Sequence, residues 1–301
     1  MEIKVYQRSA EKYAVEKVYG QNFLNWLYDS PSGRMASPFL KNKIPSKLYG
    51  YWMDHKSSRK KIDSFLEEHP MDLSPFVKPS ASKQGWDSFN DFFIRSYKEG
   101  YAKFSQYDQM PAYAEGRYFA WESLDRLTTV PVKGYQLNRK QLLENRHMDP
   151  LFKDGPAMVC RLAPVDYHRF HFMDDGEVVD SWRILGDLDS VNPLSLSKNP
   201  GVHMENERQV TILSTKRFGT IAMIEVGAIC VGKIVQTYTG DSFNRGQEKG
   251  YFKFGGSTVI ILGEKGAWKP SQDILDQSAK GFETLIGLGD PIAEVKREGL
   301  L

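Results

Sequence analysis

The sequence predicts an α+β fold in which a helical N-terminal region packs on a mainly antiparallel β body. Two observations carry this prediction. Apolar side chains recur at helical spacing through the first part of the chain, and from about Pro111 the chain changes to short β-rich runs. Gly, Asn, Pro and Asp separate most of these runs, which favours antiparallel sheets over alternating β-α units. A polar, proline-bearing segment over 70–85 predicts a division into regions 1–85 and 86–301.

The composition excludes several classes of protein. The 40 basic and 38 acidic residues nearly balance, so bulk binding of nucleic acid is not expected. The two cysteines, Cys160 and Cys230, are too few for a disulfide framework or a cysteine-rich zinc site, and no metal is predicted. The N-terminus lacks the apolar core of a signal peptide. No window reaches the ~18 uninterrupted apolar residues of a spanning helix, so we expect a chain that is soluble or lies on a membrane.

Three amphipathic helices are predicted in the N-terminal region. Their apolar faces comprise Val15, Tyr19, Phe23, Trp26 and Leu27 in the first, Leu48, Trp52 and Met53 in the second, and Ile62, Phe65 and Leu66 in the third. A basic cluster accompanies them, consisting of Lys41, Lys43, Lys47, Lys56, Arg59, Lys60 and Lys61. Aromatic stripes beside such a cluster suit helices that lie on anionic lipid. An ordinary amphipathic helix with a solvated lysine face gives the same pattern and is the commoner arrangement.

The rest of the chain predicts one short helix, a series of strands and a final helix. Aromatic residues at i, i+3 and i+4 predict the short helix within 86–95. The strands are predicted over 117–121, 128–132, 157–162, 168–172, 177–184, 209–214, 220–226, 230–236 and 257–262. Residues 271–286 are predicted to form the final helix, before a Gly-Leu-Gly-Asp-Pro turn.

Two of the six histidines, His168 and His171, lie together in the segment APVDYHRFHF. In a strand these two side chains would point to opposite faces. A His-x-x-His spacing without further ligands is a weak indication of a metal site, and a purely structural role is common for buried histidines. A histidine oriented by a carboxylate is also the usual base that activates a serine nucleophile.

The segment Gly255-Gly256-Ser257-Thr258 stands directly before an apolar strand. A hairpin turn is the commoner explanation of two glycines at such a point. Alternatively, glycine tolerates the strained backbone that would let the Ser257 hydroxyl attack the carbonyl of Gly256. The resulting ester could undergo β-elimination, and the new N-terminus would hydrolyse to a pyruvoyl group. A pyruvoyl ketone forms a Schiff base with a substrate amine and takes up electrons as pyridoxal phosphate does.

Several motifs, taken in order, resemble those of phosphatidylserine decarboxylase proenzymes. GGST within GYFKFGGSTVIIL is similar to the family's self-cleavage motif, FNDFFIR to its aromatic motif and APVDYHRFHF to its histidine motif. SVNPLSL, NERQV, VGAICVG and GLGDPI also fit, and the resemblance runs from about Trp86 to Ile292. It implies decarboxylation of phosphatidylserine to phosphatidylethanolamine in phospholipid biosynthesis. N-terminal helices meet the membrane in that family, which favours the lipid-binding interpretation of the helices here.

The resemblance implies a cofactor made from the chain itself. Ser257 becomes the precursor of a covalent pyruvoyl group, and Gly256 becomes the new carboxyl end. The mature protein would be a heterodimer of a β chain, residues 1–256, and an α chain, residues 257–301, with a higher homo-oligomer left open. Its partners would be phosphatidylserine and, peripherally, the cytoplasmic side of the cell membrane.

The resemblance also implies a charge relay. His171 becomes its base, and His168 becomes a supporting residue near the substrate. The family's third relay member is an aspartate in a Pro-Ala-Asp-Gly-like turn. Glu115 stands in the matching place here and is one methylene longer, so Asp166 is kept as a second candidate for the carboxylate. Two alternative functions remain: a pyruvoyl-dependent decarboxylase of a soluble amino acid, and a lipid-binding relative that does not process itself.

Overall fold

The computed structural model of the chain describes residues 3–16, 30, 50–124, 139–144, 147–184, 207–227, 233–255 and 257–296. Over these residues the protein is a mixed α/β structure with mostly antiparallel sheets and few helices. The predicted antiparallel β body is therefore confirmed.

A ten-stranded sheet forms the centre of the described structure. Its strands are β1 (Ile3–Gln7), β2 (Lys12–Glu16), β4 (Gly116–Trp121), β5 (Ala157–Leu162), β7 (Gly176–Ile184), β8 (Arg208–Thr215), β9 (Thr220–Gly227), β11 (Ser242–Phe243), β13 (Ser257–Gly263) and β15 (Glu283–Ile286). Their spatial order is β11-β7-β8-β9-β13-β5-β4-β15-β1-β2, antiparallel throughout except for the parallel pair β1 and β15. β13 lies between β9 and β5, and all of its residues are buried.

Two three-stranded sheets cover one face of this large sheet. The first consists of β6 (Arg169–His171), β10 (Ile234–Gln236) and β12 (Glu248–Phe252), and the second of β3 (Gln109–Pro111), β14 (Trp268–Pro270) and β16 (Pro291–Val295). Val259 and Ile261 of β13 share one apolar core with Phe170 and Phe252 of the first small sheet and Trp268 of the second. The opposite face of the large sheet carries a second core, so β13 is apolar on both faces, as a strand covered on both sides must be.

The described helices are α1 (Lys60–Glu68), α2 (Phe89–Phe93), α3 (Arg139–Leu143) and α4 (Gln272–Ala279), with residues 50–54 also helical. α1 and α2 share a third core that is largely aromatic, in which Phe65 and Phe89 meet edge to face. Ser88 begins α2 by accepting a hydrogen bond from the backbone N–H of Asp91 at 3.1 Å. Phe254 belongs to this core as well, so these helices reach the predicted cleavage segment.

The helical prediction for the N-terminal region is confirmed at α1, where Ile62 and Phe65 are buried, and is wrong for residues 3–16. These residues form a hairpin of β1 and β2 at one edge of the large sheet. Ile3 and Val5 are buried on either side of exposed Lys4, which is the period of a strand and not of a helix. Some of the predicted residues lie outside the described residues. They are the helix-face residues Tyr19, Phe23, Trp26, Leu27 and Leu48 and the basic residues Lys41, Lys43 and Lys47.

The prediction of one helix over 271–286 is correct for α4 and wrong beyond it. The chain leaves α4 through Gly281, whose φ of 80° is a conformation that glycine adopts at low cost. Glu283–Ile286 then forms β15, which pairs with β1 and β4. The predicted strands over 117–121, 157–162, 177–184, 209–214, 220–226 and 257–262 are confirmed, whereas 128–132 lies outside the described residues.

The hairpin is joined to the rest of the sheet by a buried network of charges. Glu16 accepts hydrogen bonds from Arg117 Nε at 2.8 Å and from both terminal nitrogens of Arg161, at 2.9 and 3.0 Å. Arg161 also donates to Glu283 of β15 at 2.6 and 3.0 Å. Burial raises the pKa of Glu16, but Arg161 and Arg117 outweigh it and lower the pKa from 4.5 to about 2.

We expect Glu16→Gln to lower the free energy of unfolding at pH 7 by about 3–5 kcal/mol, because it leaves two buried guanidinium groups underpaired. The folded-state pKa lies below the unfolded value, so the stabilisation is complete above about pH 4.5 and is lost as pH falls towards about 2. Thermal unfolding across this range should show the two proteins converging in acid. Glu11→Gln, an exposed change on the same hairpin, is the control, and equal effects of both changes would contradict the prediction.

Candidate active site

Ser257 is the first residue of β13 and is fully buried. It pairs with Leu162 of β5 on one side and with Gly227 of β9 on the other. Its hydroxyl oxygen is buried and has no hydrogen-bond partner among the described residues. Burying an unpaired hydroxyl is unfavourable, so this atom is a candidate for a chemical role.

The segment before Ser257 is anchored by the aromatic motif. The side-chain oxygen of Asn90 in α2 accepts a hydrogen bond from the backbone N–H of Phe254 at 2.8 Å. Asn90 in turn donates to Asp54 at 2.9 Å, and Lys253 reaches the same carboxylate at 2.8 Å. Gly256 lies outside the described residues. The chain is therefore held on both sides of the peptide bond between Gly256 and Ser257.

His168 presents a free basic nitrogen in a buried position. Its Nε2 lies 3.0 Å from the carbonyl oxygen of Ala163, which can only accept, so the proton is on Nε2. Nδ1 is buried and has no hydrogen-bond partner among the described residues. The ring stacks on Phe93 at 3.8 Å, and burial lowers the pKa of His168 well below its usual value. Ala163 directly follows Leu162, which is the cross-strand partner of Ser257. The hydrogen bond to Ala163 therefore places this imidazole at the end of the large sheet where Ser257 begins β13.

His171 lies at the end of β6 and is nearly buried. Its Nδ1 lies 3.0 Å from the carbonyl oxygen of Gly246, which places the proton on Nδ1. Nε2 is therefore the basic nitrogen, and it lies 3.4 Å from the hydroxyl of Tyr167. Burial lowers the pKa of His171, so the ring is neutral at neutral pH and able to accept a proton.

Glu115 lies in the turn before β4 and connects to His171 through Tyr167. Its carboxylate accepts a hydrogen bond from the Tyr97 hydroxyl at 2.6 Å and another from the backbone N–H of Tyr167 at 3.3 Å. The Tyr97 and Tyr167 rings stack at 4.4 Å, and Tyr167 stacks on His171 at 5.9 Å. Gly116 follows because a side chain there would meet the backbone oxygen of Arg161 at 2.6 Å.

Asp166, the second candidate for the carboxylate, makes a separate set of contacts. It pairs with Arg117 and accepts a hydrogen bond from the backbone N–H of Ala163 at 2.6 Å. Burial raises the pKa of Asp166 to about 6, although Arg117 opposes the shift. Arg95 donates to the carbonyl oxygens of Val165 and Asp166 at 2.6 and 2.8 Å. These ionic contacts fix the turn that carries His168.

The structure thus brings some predicted residues together and leaves others apart. Ser257 and His168 lie on neighbouring segments, whereas Glu115 and His171 form a second group linked by tyrosines. In the described chain, no hydrogen bond joins Glu115 to His171 or either histidine to Ser257. Sequence reasoning missed Asn90, Arg95 and the two tyrosines. The motif FNDFFIR contained the first two, but its pattern indicates only a helix.

Tyr97 holds the longer side chain of Glu115 in one orientation. Burial and the neighbouring Glu115 raise the pKa of Tyr97, so its hydroxyl remains a donor at every working pH. We expect Tyr97→Phe to slow any reaction that depends on Glu115 by about ten- to a hundredfold, because a displaced group costs this much. Tyr101→Phe is the matched control, since Tyr101 stacks on Tyr97 at 4.8 Å and is largely exposed. The rate of self-cleavage in a pulse-chase is the measurement, and equal rates for the two variants would contradict the assignment.

The described residues contain neither a metal site nor a membrane-spanning helix. No group of three or more His, Cys, Asp and Glu side chains there could hold a metal ion. The described helices include none that is long and apolar enough to cross a membrane.

A buried serine hydroxyl that follows two glycines, on an antiparallel body that also buries two neutral imidazoles, defines a candidate self-processing enzyme. The sequence profile of the phosphatidylserine decarboxylase family matches residues 89–286. The chain is 40% identical to a phosphatidylserine decarboxylase proenzyme of Clostridium novyi (strain NT), over 96% of this chain and 98% of that protein. Proenzymes of the same name from Clostridium tetani (strain Massachusetts / E88) and Clostridium perfringens (strain ATCC 13124 / DSM 756 / JCM 1290 / NCIMB 6125 / NCTC 8237 / Type A) are 40% and 39% identical, over 97% and 96% of this chain and 98% and 99% of theirs. The chain belongs to the phosphatidylserine decarboxylase family.

Proposed function

We propose that this chain is a phosphatidylserine decarboxylase proenzyme that makes its own pyruvoyl group from Ser257. It converts phosphatidylserine to phosphatidylethanolamine with release of carbon dioxide. The observation that carries this proposal is the buried, unpaired hydroxyl of Ser257 at the start of a central strand. Family membership over nearly the whole chain supports the same substrate.

Self-cleavage proceeds by attack of the Ser257 hydroxyl oxygen on the carbonyl carbon of Gly256. The new ester bond forms as the amide bond breaks, and the hydroxyl proton passes through a histidine to the departing nitrogen. Loss of the α-proton of Ser257 then expels the carboxylate of Gly256. Water converts the remaining enamine to the pyruvoyl group and releases ammonia. The products are a β chain of residues 1–256 and an α chain of residues 257–301.

His171 is the base of this relay, and Glu115 orients it through Tyr167. Three features support this assignment: the neutral ring, the basic Nε2 that faces the Tyr167 hydroxyl at 3.4 Å, and the hydrogen bond from the backbone N–H of Tyr167 to Glu115. His168 is the supporting residue, and its unpaired Nδ1 gives it a basic atom of its own. Both rings must be neutral to accept a proton, and burial keeps them so.

The buried surroundings of Ser257 suit the group that it becomes. Its hydroxyl has no competing hydrogen bond among the described residues, and apolar strands on both sides keep water away. The pyruvoyl ketone supplies an electron sink for the electrons released with carbon dioxide. His168 lies on the neighbouring segment and can hold or return a proton there.

The protein binds the cytoplasmic face of the cell membrane peripherally, through the basic cluster of the N-terminal region. Its described members are Lys56, Arg59, Lys60 and Lys61, which lie in the turn before α1 and in its first turn. Tyr51 on the preceding helical turn is 73% exposed, and Lys61 lies 5.0 Å from the ring of Trp52. An exposed aromatic ring beside lysines suits the headgroup region of an anionic membrane.

We expect replacement of Lys56, Arg59, Lys60 and Lys61 by Gln to weaken binding to vesicles that contain phosphatidylserine by about tenfold or more, since each nearby basic residue contributes about 1 kcal/mol. High salt should mimic the change because it screens exposed charges. The control replaces four exposed lysines elsewhere, Lys12, Lys216, Lys265 and Lys280, and removes the same charge. If flotation does not depend on salt and is equal for both variants, the basic cluster is not part of the membrane interface.

Two measurements test the proposed function as a whole. Intact mass of the purified protein should give two chains, and the smaller should carry a pyruvoyl group at its N-terminus. The mature protein should release carbon dioxide from phosphatidylserine in detergent micelles and not from free serine or aromatic amino acids. A single uncleaved chain would favour the non-processing alternative, and activity on a soluble amino acid alone would favour the other.

A further inference from the structure

A buried ion pair between Glu225 of β9 and Lys249 of β12 takes no part in the proposed chemistry. Both side chains are fully buried, and Lys249 Nζ lies 2.9 Å from Glu225 Oε1. Nζ also donates to Thr211 Oγ1 at 3.0 Å and to Gln236 Oε1 at 2.9 Å. The amide of Gln236 donates to the second oxygen of Glu225 at 3.0 Å. All three ammonium protons and both carboxylate oxygens therefore have a partner.

These four residues, which we call the polar clamp, join two sheets face to face. Thr211 and Glu225 belong to β8 and β9 of the large sheet, and Gln236 and Lys249 belong to β10 and β12 of the small one. Phe170 of β6 lies beside Lys249, with its ring centre 5.7 Å from Nζ. The surrounding contacts are apolar, so the clamp is the polar connection at the centre of this interface among the described residues.

The polar clamp lies close to Ser257 along the sheet. β9 pairs with β13 so that Gly227 faces Ser257 and Glu225 faces Val259. Residues two apart on a strand share a face and are about 7 Å apart, so Glu225 lies on the same face as Ser257, one step along. Lys249 lies on β12, which ends at Phe252 just before the scissile segment. The clamp therefore ties β12, which precedes the scissile segment, to β9. β9 in turn pairs with β13, the strand that follows the segment.

Stability alone does not account for these buried charges. Removing two ions from water is costly, and replacement of such a pair by apolar residues of similar size is often neutral or stabilising. Burial raises the pKa of Glu225 and lowers that of Lys249, because it disfavours the charged form of each group. What the clamp supplies beyond apolar packing is direction, because three of its four hydrogen bonds cross between the sheets and favour one placement of the small sheet on the large one.

We infer that the polar clamp is a positioning device for self-cleavage, which fixes β12 on the large sheet and thereby positions the segment that leads from Phe252 to Ser257. This inference rests on the proposed function of Ser257. Glu225 and Lys249 are positioning residues and do not touch the reacting atoms.

The test compares two double variants that both remove the charges. Glu225→Leu with Lys249→Met keeps the volume and loses the hydrogen bonds, whereas Glu225→Gln with Lys249→Gln keeps hydrogen-bonding groups. We expect the Leu–Met chain to cleave itself at least tenfold more slowly in a pulse-chase, and the Gln–Gln chain to remain within about threefold of the wild type. Melting temperatures are compared in the uncleaved Ser257→Ala background, so that folding and cleavage are read separately.

A second buried pair provides the matched control. Arg139 and Asp149 lie 2.7 Å apart, and the elements that carry them pack on the second core, whereas β12 packs on the first. Arg139→Met with Asp149→Leu should leave cleavage of the folded chain at the wild-type rate, whatever its melting temperature. A Leu–Met chain that cleaves at the wild-type rate would overturn the inference, as would a control that slows equally at the same melting temperature.

Amide hydrogen exchange keeps the inference testable if the Leu–Met chain does not fold. In the Ser257→Ala background, Lys249→Gln should speed exchange in peptides from residues 248–256 and leave those from β16 unchanged. Unchanged exchange over 248–256 would overturn the inference. Failure of the proposed function looks different, because the wild-type chain would then stay uncleaved or the Ser257→Ala chain would still be cleaved.

Discussion

A chain with Ser257→Ala is expected to accumulate as one protein of 301 residues and to release no carbon dioxide from phosphatidylserine. The change removes a single oxygen, which is both the nucleophile of self-cleavage and the source of the ketone. Because that oxygen is buried without a hydrogen-bond partner among the described residues, its removal should not destabilise the fold. Loss of cleavage with an unchanged or raised melting temperature is therefore the signature to look for.

Denaturing gels and intact mass provide the measurement. Thr258→Val is the matched control, since the Thr258 hydroxyl is also buried and unpaired in the described structure but belongs to the next residue. It should mature normally. Cleavage that persists in the Ser257→Ala chain would show that another residue is the nucleophile.

Removal of the relay should be nearly as severe. His171→Ala should slow cleavage by about a thousandfold or more, because the base that accepts the hydroxyl proton is lost. Glu115→Gln replaces a carboxylate acceptor with an amide, which leaves the backbone N–H of Tyr167 and the Tyr97 hydroxyl with a weaker partner. We expect this change to cost less than His171→Ala, since its effect reaches the imidazole through Tyr167. The double variant should be little worse than His171→Ala, as residues that act as one unit are not additive.

Variants of neighbouring residues separate this assignment from its alternatives. Should His168→Ala block cleavage while His171→Ala matures, the unpaired Nδ1 of His168 is the base. Should Asp166→Asn stall maturation at unchanged stability while Glu115→Gln does not, the carboxylate is Asp166. Asp166→Asn is otherwise expected to act through stability, because it breaks the buried pair with Arg117.

Local pattern predicted the strands of the body because each has apolar residues bounded by turn residues. β13 was the clearest, with a continuous apolar run after two glycines. β1 and β15 are not predicted because both are short and they pair with each other across nearly the whole length of the chain. The pairing of Val5 with Glu283 is a tertiary fact that no local window contains.

The candidate site also combines residues that the sequence predicts with residues that only the structure shows. Motif resemblance predicts Ser257, the two histidines and Glu115 as site residues, but their spacing does not show which of them are in contact. The polar contacts that arrange the site come from Asn90, Arg95 and Tyr97, which reach across the chain to Phe254, Val165 and Glu115. Nothing in the local sequence distinguishes these residues from others of their type, because their roles depend on contacts that form only in the folded structure.

The order of strands has a consequence for the protein after cleavage. β13 and β15 would belong to the short α chain, yet β13 lies between β9 and β5, and β15 lies between β4 and β1. Strands of the two products thus alternate in the large sheet. Neither product can leave without breaking the strand pairing on both sides of β13 and of β15. The intact precursor can refold by itself at any dilution, because its strands share one covalent chain. After cleavage, the same fold can form again only when the two separate chains meet. Maturation therefore replaces a protein that refolds reversibly with one whose lifetime depends on not unfolding.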